Sequence, residues 1–100
     1  MGTGLTDRRL LVEQRLFDCH SRLERARGEL ALAEEQVLVA LEAAEEARCR
    51  MAASETPLAH REWCEARRRR EQVLSNALAA REHVVVLESA RDDLLAKLVG

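Results

Sequence analysis

Aromatic residues are nearly missing from this chain: its 100 residues include one Trp, one Phe and no Tyr, and only one Pro and four Gly. So few rings, turn formers and breakers exclude a sheet-rich or low-complexity disordered chain and leave long helices. Cysteine is scarce and odd in number. Cys19, Cys49 and Cys64 cannot form a closed disulfide framework and lack metal-type spacing, which fits a reducing, cytoplasmic compartment. No basic segment precedes an apolar run with a small-residue cleavage site, so a secretory signal is not expected. No apolar run approaches the roughly 20 residues that span a bilayer. Neither charge sign dominates: 16 Lys and Arg against 18 Asp and Glu give a net charge of −2, which excludes general attraction to nucleic acid or anionic lipid. A single short domain has little interior for a buried active site, so the expectation is no enzyme and no cofactor.

What is present is a seven-residue repeat on each side of one break. Leu16, Leu23, Leu30, Val37, Ala44 and Met51 stack in the first half, and Ala59, Ala66, Val73, Ala80, Leu87 and Leu94 in the second. This spacing predicts two helices that bury a seam against each other. Thr6 as cap with Asp7 in the first turn starts helix one, predicted over about residues 6–53. Gly28 lies inside it, facing away from the seam, at a cost of roughly 1 kcal/mol relative to Ala. Ser54, Glu55 and Thr56 form the turn. Thr56 as cap followed by Pro57 at the first helical position restarts the chain, and helix two is predicted over about residues 57–98.

A connection this short makes the helices antiparallel neighbours. The predicted fold is all-α: one antiparallel two-helix coiled-coil hairpin over residues 1–100. In a register where facing residue numbers sum to about 110, the layers are apolar or pair large with small. They include Val12 with Leu98, Leu16 with Leu94, Leu23 with Leu87, Ala26 with Val84, Val37 with Val73 and Ala47 with Trp63. Arg70 and Arg91 fall opposite Ala40 and Cys19, small residues that leave room for an arginine stem. Ala26, Ala33, Ala40 and Ala47 let the backbones approach closely. Among flanking charges, Arg50 with Glu62, Glu29 with His83 and His20 with Glu88 attract, whereas Arg27 with Arg81 and Arg15 with Lys97 repel. The bulky residues at the open end make that end the expected place of tightest packing.

The seam does not use all the apolar residues. Leu10, Phe17, Leu38 and Leu41 lie on one flank of helix one, and Leu74, Leu78, Val85, Leu95 and Val99 on the matching flank of helix two. The opposite flank carries Arg15, Arg22, Glu29, Gln36, Arg50, Glu62, Arg69, Asn76, His83 and Lys97. An exposed apolar strip of this length marks an interface. It is expected to complete a four-helix bundle, through a second copy of the chain or through a helix of another protein. That implies a non-catalytic adaptor, scaffold or chaperone-like module.

Three polar groups are alternatives. Arg61, Arg67, Arg68, Arg69 and Arg70 form a basic run around Trp63, a candidate anion or nucleic-acid site. Consecutive helical residues diverge, however, and Glu42, Glu45 and Glu46 lie nearby, so a solvated, salt-bridged surface is the expected outcome. Trp63 is expected to plug the seam near the turn. His60 and Cys64 with Cys49 are candidate metal ligands, but Cys49 and Cys64 point away from the seam and no fourth ligand is evident, so no metal is expected. Cys19 and His20 diverge on the helix and do not make a nucleophile and base. The segment Trp63, Ala66, Arg67 to Arg70, Val73 and Leu74 resembles the second helix of the coiled-coil stalk proteins of flagellar and type III secretion export. The resemblance covers that segment alone and implies a stalk-like role in an export apparatus.

Overall fold

A computed structural model of the chain describes residues 3–99. Helix α1 spans Thr3–Ser54 and helix α2 spans Pro57–Val99. They fold back on each other into a rod of 80 × 15 × 15 Å, matching the ~78 Å expected of a 52-residue helix. Helices this long are not stable by propensity alone and depend on the seam between them. Among the described residues, no helix is long and apolar enough to cross a membrane.

The start of α1 departs from expectation. It begins at Thr3, so Thr6 lies within the helix rather than capping it. The restart is as predicted: Thr56 Oγ1 accepts a hydrogen bond from the Ala59 amide at 3.1 Å, and Pro57 is the first residue of α2. Between the helices, Glu55 adopts φ 46° and its amide donates to the Met51 carbonyl at 2.9 Å. That bond closes α1 with a left-handed residue, a place normally taken by Gly. Glu55 carries the steric strain of a Cβ in this conformation.

The heptad positions are the buried ones. Cys19, Leu23, Ala26, Ala40, Ala44 and Ala47 of α1 and Ala59, Val73, Val84 and Leu87 of α2 form the core, and the other seam residues are half-buried. Both seam arginines pack by their stems and engage a neighbour with their heads. Arg91 is half-buried, with its guanidinium 3.3 Å from Asp92, and Arg70 is half-buried beside the Trp63 ring.

The tightest packing is not at the open end. Leu23, Ala26, Val84 and Leu87 cluster inward of it, with Leu30 against them, while Val12, Leu16, Leu94 and Leu98 are only half-buried. The reason is how the layers alternate: the large pair Leu23 with Leu87 is followed by the smaller pair Ala26 with Val84, and a layer containing alanine lets its neighbours interlock. Ala44, in such a layer near the turn, has no exposed surface.

Candidate interaction surface

All nine residues of the predicted strip are exposed, from Leu95 at 42% through Phe17 at 71% to Val99 at 90%. Each lies one or two positions off the seam in the heptad, so a two-helix pair cannot cover it. Midway along this flank, Leu38, Leu74 and Leu78 join the half-buried seam residues Leu30, Val37 and Ala77 around a cleft of about 410 Å³. Glu34 and Arg81 form its rim. The seam and the strip thus meet in one apolar recess. Nearer the open end, Leu10 and Phe17 flank a shallower groove with Glu13, Gln14 and Asp18.

The strip is not uninterrupted, which periodicity did not reveal. Arg27 reaches across the seam to Glu88 at 3.5 Å, and Arg81 reaches Glu34 at 3.5 Å. These two ion pairs belt the middle of the apolar flank and divide it into an open-end cluster and a central cluster. They also correct the expected repulsion of Arg27 and Arg81, because each side chain finds a carboxylate about one turn away. Of the attractive pairs expected, Arg50 with Glu62 is present at 3.7 Å. Glu29 with His83 and His20 with Glu88 are not among the ion pairs of the described residues, and Glu88 is taken by Arg27.

The opposite flank is less polar than expected. Leu11, Leu32, Val39, Leu58 and Val86 are also exposed there. Leu32 and Val39, one heptad apart, line a shallow groove with Ala43 and Arg69. The other three lie apart along the rod, so this flank carries a patch rather than a strip.

The arginine run does not form the expected salt-bridged surface. Among the described residues, none of Arg61, Arg67, Arg68, Arg69 and Arg70 has an ion pair. Glu45 is held by Arg48 at 2.6 Å, and the hydrogen bond from Arg48 keeps the Glu45 carboxyl below its ordinary range. Arg67 and Arg70 instead place their guanidinium carbons 5.5 and 5.9 Å from the centre of the Trp63 ring, within cation–π range. Trp63 is at its seam position but only half-buried, with Arg67 and Arg70 against its ring. Arg61, Arg68 and Arg69 point elsewhere around the helix and do not converge with them.

The cysteines are dispersed. Cys19 is buried and its thiol donates to the Leu87 carbonyl at 3.4 Å, while the adjacent His20 is exposed. Cys49 and Cys64 are exposed free thiols. Among the described residues, no three His, Cys, Asp or Glu side chains converge on a point, so His60, Cys49 and Cys64 are not brought together.

No protein-family model matches the chain, and comparisons with curated proteins and with solved structures give no match. The stalk-like reading therefore rests on the one segment around Trp63.

Proposed function

We propose that this chain is a non-catalytic protein interaction module that works by burying its apolar flank against further helices. One observation carries the reading: the cleft around Leu38, Leu74 and Leu78 is continuous with the half-buried seam residues Leu30 and Val37. A covering helix would complete burial of the seam and of the strip together, which is how a hairpin becomes a four-helix bundle. The surface area supports this. The chain exposes 7658 Å², whereas a compact monomer of 11.3 kDa exposes about 5,700 Å². The surplus of about 1,900 Å² per chain exceeds the roughly 800 Å² that each partner of a standard-size interface covers.

The test is a Phe17→Glu, Leu38→Glu, Val85→Glu triple variant. All three side chains are exposed and off the seam, so the hairpin should keep its helicity while losing its partner. Unchanged sedimentation mass together with recovery of the same partners from pull-down would overturn the proposal.

A further inference from the structure

Building on the interaction-module reading, we infer that the occupant of the apolar flank is a second copy of this chain, docked antiparallel, with the two-fold axis passing near Val85. In such a mating α1 lies along the second copy's α1, and α2 along its α2, with the ends of the rod exchanged. The strip is divided in the way this requires. Its open-end cluster and its central cluster lie on either side of the belt formed by Arg27–Glu88 and Glu34–Arg81. Exchanging the ends therefore lays each cluster on the other: Leu10 comes level with the second copy's Leu41, and Leu95 with its Leu74. Phe17, the most exposed of the α1 strip residues, falls level with Glu34 on the rim of the second copy's cleft, one helical turn from its Leu38. The relation is reciprocal, as an isologous interface demands.

Charge chooses between this mating and its parallel alternative. A two-fold axis along the rod also pairs apolar residues, since it sets Leu10 near the second copy's Val99 and Leu38 near its Leu74. It sets Arg27, however, against the second copy's Arg81, and Glu24 against its Glu88, each of them twice. The antiparallel mating sets Glu24 beside the second copy's Arg27, and Glu88 beside its Arg81, again twice. The two Arg27 side chains approach each other at the axis, but each has Glu88 of its own chain and Glu24 of the other within reach. Opposite charges at the centre of an interface fix its register, and like charges there exclude the wrong one. The area is sufficient: the surplus of about 1,900 Å² per chain exceeds the roughly 800 Å² that each partner of a standard-size interface covers.

The cysteines give the experiment. In the antiparallel dimer the two copies of Cys64 stand roughly 60 Å apart, on opposite sides of the axis; in a parallel dimer they share one end of the bundle. The full chain is sized by light scattering, then treated with a short bismaleimide. The expected mass is twice 11.3 kDa, with no covalent dimer from the native cysteines. Val85→Cys, made with Cys19→Ala, Cys49→Ser and Cys64→Ser, is expected to cross-link to itself. Glu24→Arg is expected to weaken dimerisation about tenfold, since it places two arginines together twice; a parallel dimer would tighten instead.

A monomer at micromolar concentration overturns the inference. So does a dimer that cross-links through Cys64 and not through Val85→Cys. In either case the interaction-module reading stands if the triple glutamate variant loses its partner or its dimer. A dimer that survives those glutamates overturns both.

Discussion

Glu55 is the one described non-glycine residue with a positive φ, and replacing it should stabilise the protein. The left-handed conformation costs a residue with a Cβ about 1–2 kcal/mol, which glycine does not incur. Glycine in turn loses more backbone freedom on folding, an opposing effect of about 0.5–1 kcal/mol. Taking the middle of each range, the net for Glu55→Gly is a gain of about 0.75 kcal/mol. For a chain of this size that raises Tm by about 2–8 °C. Packing does not confound the measurement, because Glu55 is exposed and its structural bond is made by its backbone amide. Charge is a second variable, since a carboxylate here lies at the negative end of one helix dipole and near the positive end of the next. Glu55→Gln separates the two effects, removing the charge and keeping the Cβ. Thermal unfolding followed by circular dichroism, at one fixed protein concentration, should place Glu55→Gly above both wild type and Glu55→Gln, with those two close together. If Glu55→Gly melts at or below wild type, or if Glu55→Gln gains as much, the left-handed cap is not the source of strain.

Gly28→Ala should also stabilise, by about 0.5–1 kcal/mol, because Gly28 is helical, lacks a positive φ and has open space where a Cβ would be; urea unfolding measures it. Leu23→Ala removes a side chain only 1% exposed and should cost about 2–4 kcal/mol. Leu32→Ala, on the flank away from the cleft, should change stability by less than about 0.5 kcal/mol; equal losses would mean that the seam has been misplaced. The Glu45 carboxyl, lowered by the hydrogen bond from Arg48, favours the folded state above its unfolded pKa and stops doing so as pH falls through its lowered value. Arg48→Ala should therefore raise the Glu45 titration midpoint toward the ordinary glutamate value of 4.5, as read by NMR, and an unmoved midpoint would contradict the pairing.

The flank of candidate interaction residues was legible because burial in a coiled coil is a function of heptad position. Leu38 and Leu78 sit one place beyond the seam, and no two-helix arrangement reaches them. Arg70 and Arg91 were readable as tolerated seam residues because each faces a small one, Ala40 or Cys19. The belt across the strip was not legible. Arg27 and Arg81 have stems long enough to choose among carboxylates on several turns, and the rotamers that reach Glu88 and Glu34 depend on how the helices cross. The same flexibility took Arg67 and Arg70 to the Trp63 ring and away from Glu42 and Glu46. Exposed apolar residues on the other flank, Leu32 and Val39 among them, lie one row further from the seam than the polar row that runs from Arg15 to Lys97.

Local spacing alone thus determined two helices, their antiparallel seam, the layer-by-layer register and the Thr56–Pro57 restart. Each follows from periodicity or from capping chemistry within a few residues of chain. Tertiary structure decided the rest: the left-handed Glu55, the packing maximum inward of the open end, the cleft that joins seam to strip, and the ion-pair belt that divides it. These depend on the distance between the two backbones and on side-chain rotamers, and neither is specified until the helices have met.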